Sequence, residues 1–170
     1  MLSQVYVFGT SHEYQRPDSK VPTSSIHKFE EALKAICATQ KIALIAEENN
    51  LEAQTERKLG DSLPCKLAQL IGLHHLYCDP DRKTRTALGI RQENDIRASH
   101  LFDDITEEDI QAELMESHKI RERYWLDELR KQSLWPALFI CGANHVKSLV
   151  DEASLAGLAV EVVQEDWPAQ

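Results

Sequence analysis

Five short runs of β-branched, aromatic and other apolar residues punctuate the chain: QVYVF (4–8), IALIA (42–46), HHLYC (74–78), PALFIC (136–141) and AVEVVQ (159–164). The stretches between them are long and helix-patterned, with no tight two-residue turns that would fold neighbouring runs into hairpins. A helix is expected from Ser24 or Ser25 to about Gln40, because Ile26, Phe29, Leu33 and Ile36 recur at three and four. Residues 63–73 read as a second helix, with Ser62 as cap and Pro64 in its first turn. Thr106 with Asp109 starts a long helix reaching about Lys131. The stretch NHVKSLVDEASLAGL gives a last helix ending near Gly157. Residues 10–23 read as a loop, 49–62 as polar and partly helical, and 79–104 as a loop with helical turns. Strands that alternate with helices need crossover connections, and crossovers give parallel pairing. The expected fold is one α/β domain over 1–170, a three-layer, Rossmann-like sandwich on a mainly parallel sheet of about five strands.

Composition excludes several functions. The formal net charge is -9 over 170 residues, and no basic block is present, so a nucleic-acid partner is not expected. No apolar stretch is long enough to cross a membrane. The opening MLSQVYVFGT has no basic region ahead of a long apolar one and reads as the first strand. Four cysteines, Cys37, Cys65, Cys78 and Cys141, are scattered without a C-x-x-C pair and read as reduced thiols. The cytoplasm is the expected compartment. Partners are expected to be a small polar substrate or peptide, with a second copy of the chain also allowed.

In an open parallel sheet, ligands bind beyond the carboxyl ends of the strands. The residues that follow each run are therefore the informative ones. Gly9-Thr10-Ser11-His12 follows the first and Glu47-Glu48 the second. Asp79-Pro80-Asp81 follows the third, Gly142-Ala143-Asn144-His145 the fourth and Glu165-Asp166 the fifth. Two imidazoles and a carboxylate can ligate a divalent ion and leave a position open for water. They can equally work without metal, one histidine as general base and the other as electrostatic stabiliser. Both routes lead to hydrolysis. The expected catalytic set is His12, Glu47, Arg121 and His145, with Glu47 preferred to Glu48 as nearer the strand end. The expected metal ligands are His12, Glu47 and His145, for Mn, Co or Zn. Glu48, Asp79, His118 and Asn144 are candidate substrate contacts. His118, Arg121 and Trp125 share one helix face, where Arg121 suits an anionic group or an oxyanion. The plainer alternatives are a turn role for Asp79, a solvated face around Arg121 and Glu122, packing for His74 and His75, and a core thiol at Cys141. No G-x-G-x-x-G or Walker pattern follows the first strand. A non-catalytic domain that binds a ligand or metal at the same edge is the alternative to an enzyme.

The order of these pieces resembles one known group. G-x-x-H at Gly9 and His12, an acid after the second strand, Arg121 in a long helix within RERYW, and a second G-x-x-H at Gly142 and His145 are similar to the superfamily of erythromycin esterase, ChaN, TraB and TIKI proteins. The resemblance spans residues 7–146. It implies an α/β core with hydrolytic or metal-binding chemistry at this edge. The chain is shorter than most members and lacks their helical insertions.

Overall fold

The computed structural model describes residues 3–101 and 104–168. Among them the chain runs β1 (Gln4–Thr10), a 3₁₀ turn (His12–Tyr14), α1 (Thr23–Gln40), β2 (Leu44–Glu47), α2 (Leu51–Glu56), α3 (Leu63–Ile71) and β3 (His74–Tyr77). It continues through α4 (Arg82–Leu88), α5 (Glu93–Ser99), α6 (Glu107–Gln132), β4 (Ala137–Gly142), a 3₁₀ turn (Ala143–His145), α7 (Val146–Leu155) and β5 (Ala159–Trp167). The strands form one sheet in the order β3-β2-β4-β1-β5, and every pairing is parallel.

Strand alternation assigns each side chain to a layer. Val5, Val7, Leu44, Ala46, Ala137, Phe139 and Cys141 point to one face and pack with Trp125, Leu126 and Leu129 of α6 and Leu149 and Ala153 of α7. Phe8, Ile45, Leu138 and Ile140 point to the other, against Phe29, Leu33 and Cys37 of α1 and Leu67 and Ala68 of α3. The result is the three-layer α/β sandwich expected from the sequence. β2 and β4 are buried along their length, which is why residues 42–46 and 136–141 read as unbroken apolar runs.

Several boundaries differ from expectation. β2 begins at Leu44 and takes in Glu47, because Ile42 still belongs to the turn after α1, where its N–H bonds the Cys37 carbonyl. α1 starts at Thr23, so Ser24 and Ser25 lie inside it and neither caps it. Residues 79–104 hold two short helices: Asp81 caps α4 by accepting from the Thr84 N–H, and Gly89 ends it in the left-handed conformation. β5 extends to Trp167, so Glu165 and Asp166 lie within the strand rather than beyond it. All four cysteines are free and buried. Among the described residues no helix is long and apolar enough to cross a membrane.

The topology opens one crevice. β1 and β4 are neighbours, yet the helices that follow them, α1 and α7, cover opposite faces. Where consecutive connections diverge in this way, the carboxyl ends of the two strands are left uncovered. The two Gly-x-x-His segments leave from those two strand ends.

The glycines of the pair do different work. A Cβ on Gly9 would stand 1.9 Å from the Glu165 carbonyl oxygen of β5 and 2.6 Å from Val146 Cγ2. A Cβ on Gly142 would stand 2.7 Å from Asn144 Oδ1, 3.3 Å from Glu48 Oε2 and 3.4 Å from His12 Nε2. Gly9 thus admits backbone and core, while Gly142 leaves room for functional side chains. Gly9→Ala is expected to cost about 1–3 kcal/mol or more, since backbone must shift to admit the methyl. Urea unfolding of the variant checks this; an unchanged midpoint would show that β5 does not press on β1 here.

Candidate functional site

Glu48 is the hub of the crevice. It follows β2 by one residue, and its side chain is 2% exposed. Its Oε2 accepts the Gly142 N–H at 2.8 Å. Its Oε1 pairs with Arg121 at 2.9 Å and lies 3.7 Å from His12 Nε2 and 3.6 Å from His145 Nε2. The last two separations are too long for direct hydrogen bonds. They are separations at which a water can mediate between the partners.

Each histidine is oriented through its other nitrogen. His145 is buried, and its Nδ1 lies 2.7 Å from Glu122 Oε1 of α6. The Ser148 hydroxyl donates to the same oxygen at 2.7 Å. A carboxylate there favours the tautomer with the proton on Nδ1, which leaves the Nε2 lone pair toward Glu48. His12, with 58% of its side chain exposed, holds Nδ1 3.1 Å from Gln15 Oε1. The Gln15 amide in turn donates to Glu47 at 3.1 Å, which fixes its orientation. Both imidazoles therefore present a bare Nε2 to the same carboxylate oxygen.

Arg121 bridges two acids. Its Nε meets Asp79 Oδ1 at 2.5 Å while its terminal nitrogen holds Glu48. Asp79 also accepts the Trp125 indole N–H at 3.2 Å and pairs with Arg85. Burial on its own would raise the Asp79 carboxyl, but Arg121 and Arg85 outweigh it and hold the group below the usual range. Burial likewise works against the charge on Arg121, and Glu48 and Asp79 reverse that and raise it. The guanidinium also lies over the Trp125 ring, 5.0 Å from its centre.

The structure brings Glu48, rather than Glu47, to the histidines. Alternation explains the exchange: Glu48 shares the α6 face with Leu44 and Ala46, and Glu47 shares the α1 and α3 face with Ile45. The Glu47 carboxylate is fully buried and already held by the Ser62 hydroxyl, His75 at 2.8 Å and Gln15. The expected metal set of His12, Glu47 and His145 is corrected on this point: Glu47 reaches neither histidine. Asn144 is exposed and rests against Gly142. Asp79 anchors Arg121, and His118 lines the crevice, its ring 4.3 Å from that of His145. Sequence reasoning missed Glu122 and Gln15 as orienting groups. Glu122 had a signal, since it lies four residues after His118 and so on the same helical face.

His118, Glu122 and His145 offer ligand atoms all within 4.8 Å of one another, so this group could hold a metal ion. Two of its atoms, His118 Nδ1 and Glu122 Oε2, are buried without a hydrogen-bond partner. An ion there would satisfy both, so the donor set fits a borderline divalent metal. Burial, with further contributions from His145 and Arg121, pulls His118 down to about 4. No known protein-family model, curated protein or solved structure matches this chain.

Two outcomes follow from these contacts. Arg121→Gln is expected to destabilise the fold by about 3–5 kcal/mol, because Glu48 would remain buried without its cation and Asp79 would keep only Arg85. A loss below about 1 kcal/mol in urea unfolding would contradict the pairing. His118 folds in its neutral form, so its contribution to stability is complete above 6.5 and is lost as pH falls from there toward 4. With chelator present, the unfolding midpoint is expected to fall more between pH 7 and 4.5 in the parent than in His118→Gln. Equal losses would show that His118 does not resist protonation.

Proposed function

We propose that the protein is a hydrolase acting in the β1/β4 crevice on an ester or amide bond of a small polar substrate or peptide. One observation carries this reading: two imidazole Nε2 atoms face a single buried carboxylate, and each ring is fixed from behind. The ordered Gly-x-x-His motifs support it too, with Glu48 in the acidic place of the erythromycin esterase, ChaN, TraB and TIKI pattern.

In this reading His145 Nε2 takes a proton from the attacking water, and Glu122 stabilises the imidazolium that forms. Glu48 orients that water, its own position held by Arg121 and the Gly142 N–H. His12, at the exposed mouth, takes a proton from solvent to become the imidazolium that protonates the leaving group, and the proton gained by His145 returns to solvent. Arg121 keeps a fixed positive charge beside the developing oxyanion. Alternatively, His145, His118 and Glu122 would hold a divalent ion such as Mn, Co or Zn, which would supply Lewis acidity and a bound water of lowered pKa in place of the His145 base.

Turnover of a panel of nitrophenyl esters and peptide anilides, with and without Mn, Co or Zn, tests the proposal. His145→Gln is expected to lower kcat/KM by about 10²–10⁴-fold, and Glu122→Gln by about 10–100-fold. Metal analysis of the purified protein gives a second readout: His118→Ala is expected to carry less metal than the parent. Absence of turnover across the panel, with metal bound all the same, would favour a binding domain instead.

A further inference from the structure

Two joined clefts flank Glu48, of about 490 and 280 Å³, and both are lined by His12, Glu48, Asn49 and Arg57. Their walls contain five arginines, Arg16, Arg57, Arg85, Arg91 and Arg121, and no lysine. The carboxylates among the lining residues are Glu48, Asp79 and Glu93. The lining itself therefore holds more arginines than carboxylates, in a chain whose net charge is -9. Such an excess, against the charge of the whole molecule, focuses anions into a cleft.

The excess charge can be located. Glu48 and Asp79 are engaged by Arg121, and Glu93 by Arg97 outside the cleft. Arg85 is held by Asp79, Arg91 by Glu113 and Arg16 by Asp18. Arg57 differs from these. Among the described residues its side chain makes no hydrogen bond or ion pair, and Asp18, which feels its charge at longer range, is already held by Arg16. Its backbone position is nonetheless set. Arg57 is the C-cap residue of α2, and that helix is anchored at the crevice by Asn50. The buried Asn50 amide donates to the Asp79 and Pro80 carbonyls while its oxygen caps the Ala53 N–H. A guanidinium presents a planar fork of donors that matches an oxyacid.

We propose that the substrate carries an oxyanion group, a phosphate or a carboxylate, which docks on Arg57 at the junction of the two clefts while the reacting bond lies over His12 and Glu48. The proposal rests on the hydrolase reading for the second half of that placement. The docking half stands on the cleft itself. Arg57 contributes affinity, with no part in the proton transfers at His145.

Calorimetric titration tests docking independently of turnover. The phosphate arm uses inorganic pyrophosphate, the carboxylate arm succinate, and glycerol is the uncharged control. At least one anion is expected to bind saturably, and the arm that binds identifies the group. Arg57→Gln is expected to weaken that binding roughly tenfold or more, the loss of one charge-assisted contact, with partial recovery in Arg57→Lys. Because Arg57 is exposed and unpaired, both variants should unfold at the parent's urea midpoint. Binding that persists in His145→Gln, with no hydrolysis by the parent, would sustain the anion site and remove the catalytic reading. No saturable binding of either anion, or binding unchanged in Arg57→Gln, overturns the inference.

Discussion

The buried ion pair between Arg121 and Glu48 organises everything at the crevice. A guanidinium from the middle of α6 reaches across to the end of β2 and, through Asp79, to the segment beyond β3. The second Glu48 oxygen then fixes the end of β4 by way of the Gly142 N–H. One cation and two carboxylates thus tie together three strand ends that lie far apart in sequence. Removing one member would leave a largely buried charge without its partner, and so the arrangement persists as a unit. The histidines are built around that unit: His12 and His145 approach the same oxygen from β1 and β4, each steadied on its far side by a separate partner.

The repeated Gly-x-x-His pattern has a topological origin. β1 and β4 are adjacent, and their onward helices depart to opposite faces, so both strand ends open into the same gap. The common spacing does not reflect a common role for the glycines. Gly9 lies under β5, where even a methyl would strike backbone. Gly142 makes space beside Glu48 and His12. His145 ends up buried and supported by Glu122, whereas His12 stays largely exposed, so the two rings meet Glu48 from the interior and from the solvent side.

Much of the fold was legible in the sequence because its signals are local and periodic. The runs at 4–8 and 136–141 read as strands from their β-branched and aromatic residues, the run at 42–46 as a strand buried on both faces, and the spacing of Phe29 and Leu33 as one apolar helix face. The choice between Glu47 and Glu48 was not legible. In a strand, one residue of register exchanges the two faces, and apolar patterning cannot fix a strand end to one residue. Glu122 sat in a charge-dense helix where most neighbours are solvated, and only its spacing from His118 distinguished it. The role of Gln15 depends on a turn that brings it between His12 and Glu47, which no short-range pattern encodes. The α4 helix, by contrast, carried readable signals at Asp81 and Gly89 within a segment whose charge obscured them.

The central claim is that His145 offers an unprotonated Nε2 to Glu48 because Glu122 holds the proton on Nδ1. Long-range ¹H–¹⁵N correlation spectra of the histidine rings, recorded above neutral pH, read the tautomer directly. The account predicts the Nδ1–H form for His145 in the parent, and a change in the ring signals of both His145 and His12 on Glu48→Gln. An Nε2–H tautomer at His145, or ring signals indifferent to Glu48, would contradict it.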